Sequence, residues 1–405
     1  MNFVKKLACL ALGLALSPAV YARADSPLSA RFTLTHIAAD TWRADYVLAE
    51  PVTSFELGAK AGAYRSRAWR VLTPGLSLVE RDGQEALTSE GAPFSRVSIE
   101  VSLFLPYAEG NYTPFDRMSD GGTDIFLGFF AGEAEQDKRT RPLRLKLRLK
   151  GLGSETVIPP HDRNPGQPSY AYFGPAHPAR AGVANLIIDP KTPEWMSQML
   201  RQTTGAITDY YAQAFERPLP YRPLVMVSVS DFDSPGLSMK GGAVGQQVVY
   251  RVGGRALLRG SPQAQALFKE LIAHELAHVW QNNVRRGGIG GDEPWVHEGG
   301  AEAIALAGLL RTGLISQADA EAYSTKLIRE CETLKGAVDT YRGTYACGFK
   351  RFTDKKTDIF RLWKAMMDAS EAKGEVYSGS MIEAITKSAQ GSRAPEVTGS
   401  SQADR

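Results

Sequence analysis

The chain has 405 residues, of which 43% are hydrophobic and 22% charged, and its formal net charge is +3. This is the composition of an ordinary soluble globular protein, long enough for two or three domains. A balance so close to neutral gives no reason to expect a general affinity for nucleic acid or anionic lipid.

The first residues have three regions. Lys5 and Lys6 are followed by the apolar run Leu7–Leu16, then by small residues ending in Ala22-Arg23-Ala24. A basic start, an apolar centre and an A-x-A end form a secretory signal peptide, and the run is too short to span a bilayer. Cleavage is expected after Ala24, with Ala22 the second choice. The mature protein is then secreted or periplasmic. No lipoprotein box precedes Cys9, and no other segment is long and apolar enough to cross a membrane. Removal of residues 1–24 takes away Lys5, Lys6 and Arg23 and no acid, leaving a net charge near zero. Two cysteines remain, Cys331 and Cys347. In an oxidising compartment an even pair suggests a disulfide, with two buried thiols as the alternative.

From Phe32 to Lys150 the pattern is strand-like, with runs at Phe32–Ile37, Trp42–Leu48, Val97–Phe104 and Leu143–Leu149. Turn residues separate them, and a β-sandwich is expected over 25–150. His36, the only histidine of this half, is expected to be a strand residue. Residues 151–169 are rich in Gly and Pro and read as a linker, with His161 as a solvated loop position. From 170 to 390 the pattern is mixed. A helix is expected over Thr192–Phe215, strands at Leu224–Val229 and Gly245–Val252, then helices near 262–285, 294–312, 316–335, 354–370 and 378–388. Residues 391–405 are polar and are expected to be disordered.

The chemistry concentrates in Leu271-Ile-Ala-His274-Glu275-Leu-Ala-His278. Ser261-Pro262 supplies a helix start: a capping hydroxyl, then a proline whose missing N–H costs nothing in the first turn. A spacing of four stacks His274 and His278 on one helix face, where two imidazoles can bind one metal ion. Glu275 follows the first ligand and leans over the open coordination position, in the H-E-x-x-H arrangement. A third ligand is found in Trp295-Val-His-Glu298-Gly-Gly-Ala-Glu302, 20 positions after His278 and beyond a Gly-rich turn. Glu302, one helical turn past Glu298, is placed to orient a ligand histidine. His297 points roughly 100° away from Glu298 on a helix of 3.6 residues per turn, and reads as a wall residue.

On these residues the chain resembles the gluzincin zinc metallopeptidases, in particular the aminopeptidase N, leukotriene A4 hydrolase and glycyl aminopeptidase families. The segment Trp295-Val-His-Glu298-Gly-Gly-Ala-Glu302 is similar to their W-x-N-E-G-x-A motif, and the resemblance covers about residues 240–350. It implies an N-terminal β-sandwich followed by a thermolysin-like α+β catalytic domain with a helical C-terminal part. It also implies one Zn²⁺ per chain, held by His274, His278 and Glu298, and peptide or protein substrates. Tyr345-Ala-Cys-Gly348 is similar to the Y-x-x-G segment whose tyrosine stabilises the oxyanion, with Tyr341 as the competing candidate. Gly241-Gly242-Ala243-Val244-Gly245 resembles the glycine-rich edge strand on which such enzymes pair an extended peptide, which makes Gly242, Ala243, Val244 and Gly245 candidate substrate-binding residues. The aminopeptidases carry a glutamate there that holds the substrate's amine, and this chain has no acidic residue at the matching place.

The expected activity is zinc-dependent peptide hydrolysis with Glu275 as general base, then general acid, and with Tyr345 aiding the oxyanion. A metal-stabilised binding or assembly protein without catalysis, or a zinc hydrolase of non-peptide amides or esters, would use the same residues. Substrate, specificity and oligomeric state are not legible.

Overall fold

The structure, a computed structural model, describes residues 26–81, 83–103, 113–136, 139–161 and 169–391. The expected signal peptide and most of the expected tail lie outside the described residues.

The N-terminal half is built from β1 (Leu28–Ala38), β2 (Thr41–Val52), β3 (Ser54–Leu57), a short helix α1 (Tyr64–Ala68), β4 (Trp69–Val71), β5 (Leu76–Arg81), β6 (Gln84–Ser89) and β7 (Phe94–Ser102). It continues through β8 (Phe115–Arg117), β9 (Thr123–Phe126), β10 (Gly132–Gln136), β11 (Arg139–Lys150), β12 (Thr156–Ile158) and β13 (Tyr170–Gly174). Nine of these strands form one sheet in the order β4-β7-β2-β1-β11-β10-β3-β6-β5, and a second has the order β12-β13-β9-β8. Period-two patterning builds the core: Phe32, Leu34, Trp42, Ala44, Tyr46, Val97 and Ile99 point inward, while residues between them stay partly or fully exposed. The stretch expected to be linker is not wholly irregular, because β12 lies within it and pairs with β13. Strand β13, placed by sequence with the second half, pairs with β9 of the first. Its run Tyr170–Phe173 is buried in the N-terminal core, a signal that a Gly- and Pro-rich stretch just before it obscured.

The C-terminal half opens with β14 (Ala179–Ala181), β15 (Ala184–Ile188), α2 (Glu194–Ala214), β16 (Leu224–Val229), β17 (Ser238–Val244) and β18 (Gln247–Gly253). These strands form a five-stranded sheet ordered β14-β15-β16-β18-β17, with β17 on an edge and antiparallel to β18. Every residue of β16 is buried. Val225 and Val227 pack towards the helices, while Leu224 and Met226 pack into the N-terminal core, so this sheet is a wall shared by both halves. The helices follow: α3 (Pro262–Gln281), α4 (Pro294–Arg311), α5 (Gln317–Thr333), α6 (Tyr341–Thr353), α7 (Ile359–Lys373) and α8 (Gly379–Gly391). Helix α6 was not expected as a whole: Thr340 caps it by accepting from the Gly343 N–H, and Tyr345 lies in its second turn. A disulfide between Cys331 and Cys347 ties α5 to α6. Among the described residues no helix is long and apolar enough to cross a membrane.

Candidate metal centre

Helix α3 starts where Ser261 Oγ accepts from the Ala264 N–H, with Pro262 in its first turn. Its register brings His274 and His278 together, their ring centroids 4.7 Å apart and their planes near perpendicular. Helix α4 packs beside α3 and carries Glu298 to the same point. The two Nε2 atoms lie 3.1 Å apart. Glu298 Oε2 lies 3.1 Å from Nε2 of His274 and 3.3 Å from Nε2 of His278. Three atoms bound tetrahedrally at about 2.0–2.2 Å from one zinc ion would be separated by roughly 3.3–3.5 Å. The spacing therefore fits a shared ion, and these three residues form a metal-sized cluster.

The outer contacts point the same way. His278 Nδ1 donates to Gln281 Oε1 at 2.7 Å, which leaves its Nε2 as a bare lone pair. Gln281, fully buried, is held in turn: its Nε2 donates to the His297 carbonyl at 3.0 Å, and Tyr377 donates to its main-chain oxygen at 2.8 Å. His274 Nδ1 is buried without a hydrogen bond and faces Glu302 Oε1 at 3.6 Å, while Tyr323 donates to the other Glu302 oxygen. Gln281 and Tyr323 were missed from sequence. A polar residue three positions after His278 on a buried helix face was a readable signal for the first. Nothing local pointed to the second, which comes from another helix.

Burial depresses the His274 imidazole, but the Glu298 hydrogen bond and the charges of Glu302, Glu275 and Glu298 outweigh it and raise its pKa to about 9. A field that holds a proton so firmly also favours a metal cation. Burial works to raise the Glu298 carboxyl, but the imidazoles of His274, His278 and His297 around it hold it far below the usual range. His297 is closer than a wall residue, with Nε2 3.5 Å from Glu298 Oε1. The Glu275 carboxyl is raised, mainly by burial, against the opposing charges of His274 and His278 and a hydrogen bond from the Ala243 main chain. A carboxylate so displaced is suited to accept a proton.

Helices α4 and α6 cross at two glycines. A Cβ on Gly299 would come within 2.3 Å of Gly348, and one on Gly348 within 2.6 Å of the Trp295 carbonyl. This contact brings Tyr345 against the cluster, its ring centroid 5.7 Å from that of His274. Burial and then the Glu298 charge push the Tyr345 phenol well above its ordinary value. Tyr341 is 75% exposed and stands further out, 5.3 Å from Tyr345. The cluster opens into a cleft of about 730 Å³ whose walls include Asp116, Tyr170, Gly242, Glu270, Tyr323 and Tyr345. Strand β17 borders this cleft. Gly242 lines it, and Ala243 reaches Glu275 through its main chain. Val244, by contrast, is buried in the N-terminal core, and Gly245 belongs to the β17–β18 turn.

No protein-family model matches the chain, and a comparison with curated protein sequences finds no match. Solved structures do match. An aminopeptidase N family protein from Idiomarina loihiensis aligns with 86% of this chain and 71% of its own at a TM-score of 0.58 and 11% identity. An M1 zinc metallopeptidase from Deinococcus radiodurans aligns over 90% of both chains at a TM-score of 0.48 and 12% identity. The first likeness shows a shared fold: a β-rich N-terminal region followed by a mixed region that ends in helices.

Proposed function

We propose that the protein is a zinc metallopeptidase of the gluzincin type with a thermolysin-like catalytic half, and that His274, His278 and Glu298 hold its single Zn²⁺. The observation that carries this reading is the convergence of three lone-pair atoms within 3.3 Å of one another, with Gln281 fixing one imidazole. A zinc ion held by these three residues would supply the Lewis acidity that activates water and polarises a carbonyl. Glu275 takes a proton from the attacking water and passes it to the leaving amine nitrogen. Tyr345 donates towards the oxygen that gains charge, and β17 aligns an extended peptide at its free edge.

Strict aminopeptidase action is not part of this proposal, because β17 carries no carboxylate: the residues it sets along the cleft include Lys240 and Gly242. We place the protein in the periplasm or outside the cell after removal of residues 1–24, a reading supported by the order of its N-terminal regions and by the disulfide. The test is zinc analysis of the purified protein together with a digest of an unbiased peptide library. One zinc per chain and defined cleavage sites are expected, and Glu275→Gln should keep the zinc while losing about 10²–10⁴-fold in turnover. A Glu275→Gln variant that cleaves like the wild type refutes the mechanism, and the digest also separates exopeptidase from endopeptidase cleavage.

A further inference from the structure

A second feature lies far along the chain from the metal centre, on the outer face of the nine-stranded sheet. In β11 the residues Arg144, Lys146, Arg148 and Lys150 alternate with inward-facing leucines, and all four are exposed. At about 3.3 Å per residue they form a line roughly 20 Å long. The neighbouring strands extend it. Arg31 of β1 stands beside Lys146, and the same row runs through Val47 of β2 to Arg96 of β7. Ser29, Thr33 and Thr35 fill the β1 positions between.

None of these six cations has an ion-pair partner among the described residues. The acids of β2 and β7 on this face are already engaged: Asp45 pairs with Arg43 and accepts from Ser98, and Glu100 pairs with Arg70. The chain as a whole carries only +3, so this face holds a local excess that the total conceals. The face is also apolar at its margins. Ile37 and Leu152 each follow by two residues the paired positions Thr35 and Lys150, and they are 39% and 42% exposed. Leu72, 37% exposed, lies at the far side, its N–H bonded to the Ser98 carbonyl.

We propose that this face docks on an anionic lipid surface, with the six cations over the head groups and Ile37 and Leu152 entering the interface. Cationic side chains gain from the negative surface potential, and apolar side chains beside them supply the second signal that stable peripheral binding requires. A single-stranded nucleic acid fits less well, because among the described residues no exposed aromatic lies on this face to stack on bases.

Co-sedimentation of the purified chain with vesicles tests this. Binding to vesicles with about 30% phosphatidylglycerol should exceed binding to pure phosphatidylcholine vesicles by about tenfold or more. The preference should fade as salt rises from about 50 to 500 mM, as the Debye length contracts. Combined Arg144→Glu, Lys146→Glu and Arg148→Glu should abolish the preference. The glutamine version of the same triple change, milder for folding, should reduce it, and a thermal melt checks that both variants fold. Ile37→Ser with Leu152→Ser should weaken binding several-fold while leaving its salt dependence in place. Equal binding to both vesicle types, or a preference unmoved by the charge changes, overturns the proposal. So does serine-variant binding equal to wild type, or retention on single-stranded DNA without binding to vesicles.

Discussion

The two halves of the molecule bury charge in opposite ways. In the N-terminal half, Arg65 is 1% exposed and closed upon its surroundings. It pairs with Glu85, donates to the carbonyls of Ala59 and Phe129 at 2.7 and 3.0 Å, and lies over the rings of Trp69 and Phe129. In the C-terminal half, His274, His278 and Glu298 turn acceptor atoms towards one another, and the chain supplies no donor between them beyond a proton on an imidazole. Both arrangements pay for desolvation, and only the first recovers it from within the chain. A buried charge matched by the chain's own groups is a structural device. Buried acceptors aimed at a common point form a place suited to a cation from outside.

The two arrangements should respond differently when one member of each is removed and the metal is varied. Glu298→Ala should abolish zinc binding and activity. In the wild type, zinc at about a thousand times its dissociation constant should add roughly 4 kcal/mol of stability over the metal-free protein, and the variant should show no such gain. Arg65→Ala should cost about 3–5 kcal/mol, since it leaves Glu85 buried and unpaired, and the cost should be the same with and without zinc. Thermal melts of the wild type and the two variants, each with and without zinc, decide the matter. A zinc-dependent Arg65 penalty, or a Glu298 variant still stabilised by zinc, would remove the distinction. A smaller effect sharpens it. Gln281→Leu takes away the acceptor that fixes the His278 tautomer and should weaken zinc binding about 10–100-fold. Competition with a chelating dye measures this.

How much of this was legible in the sequence follows from the same physics. The convergence of His274, His278 and Glu298 was, because helical periodicity alone stacks His274 on His278, and a Gly-rich turn with a second helix pattern marks where Glu298 returns. The strands β1, β2 and β16 were legible for a similar reason: their periodicity or continuous apolar character fixes which faces are buried. What was not legible depends on contacts between distant segments. Tyr323 reaches Glu302 from a separate helix. Strand β13 joins β9 across more than forty residues, and α6 is defined by a threonine cap inside a short polar stretch. The basic face was hidden differently. Each cation is visible in the sequence of β11, but net charge averages it away, and only the sheet register sets Arg31 and Arg96 in the same row.

The smallest expected effect concerns two adjacent glycines on β17 whose surroundings differ. A Cβ on Gly241 would meet the Tyr250 ring at 2.9 Å and Glu275 Cγ at 3.1 Å. Both neighbours are buried, so the strand is pushed off the Tyr250 ring and its packing against the Glu275 side chain is disturbed. Gly241→Ala should therefore lower kcat by about tenfold, because it displaces the proton-accepting group while leaving the peptide path intact. A Cβ on Gly242 would meet nothing within 4 Å and would project into the cleft. Gly242→Ala should leave kcat and stability near wild type and raise KM by a few-fold, since the methyl narrows the space beside the free strand edge. The two changes are chemically identical and one residue apart. Steady-state kinetics on one peptide substrate separate them. If both alter only KM, then β17 does not hold Glu275 in place, and the contact between the Ala243 main chain and that carboxylate has no part in the chemistry.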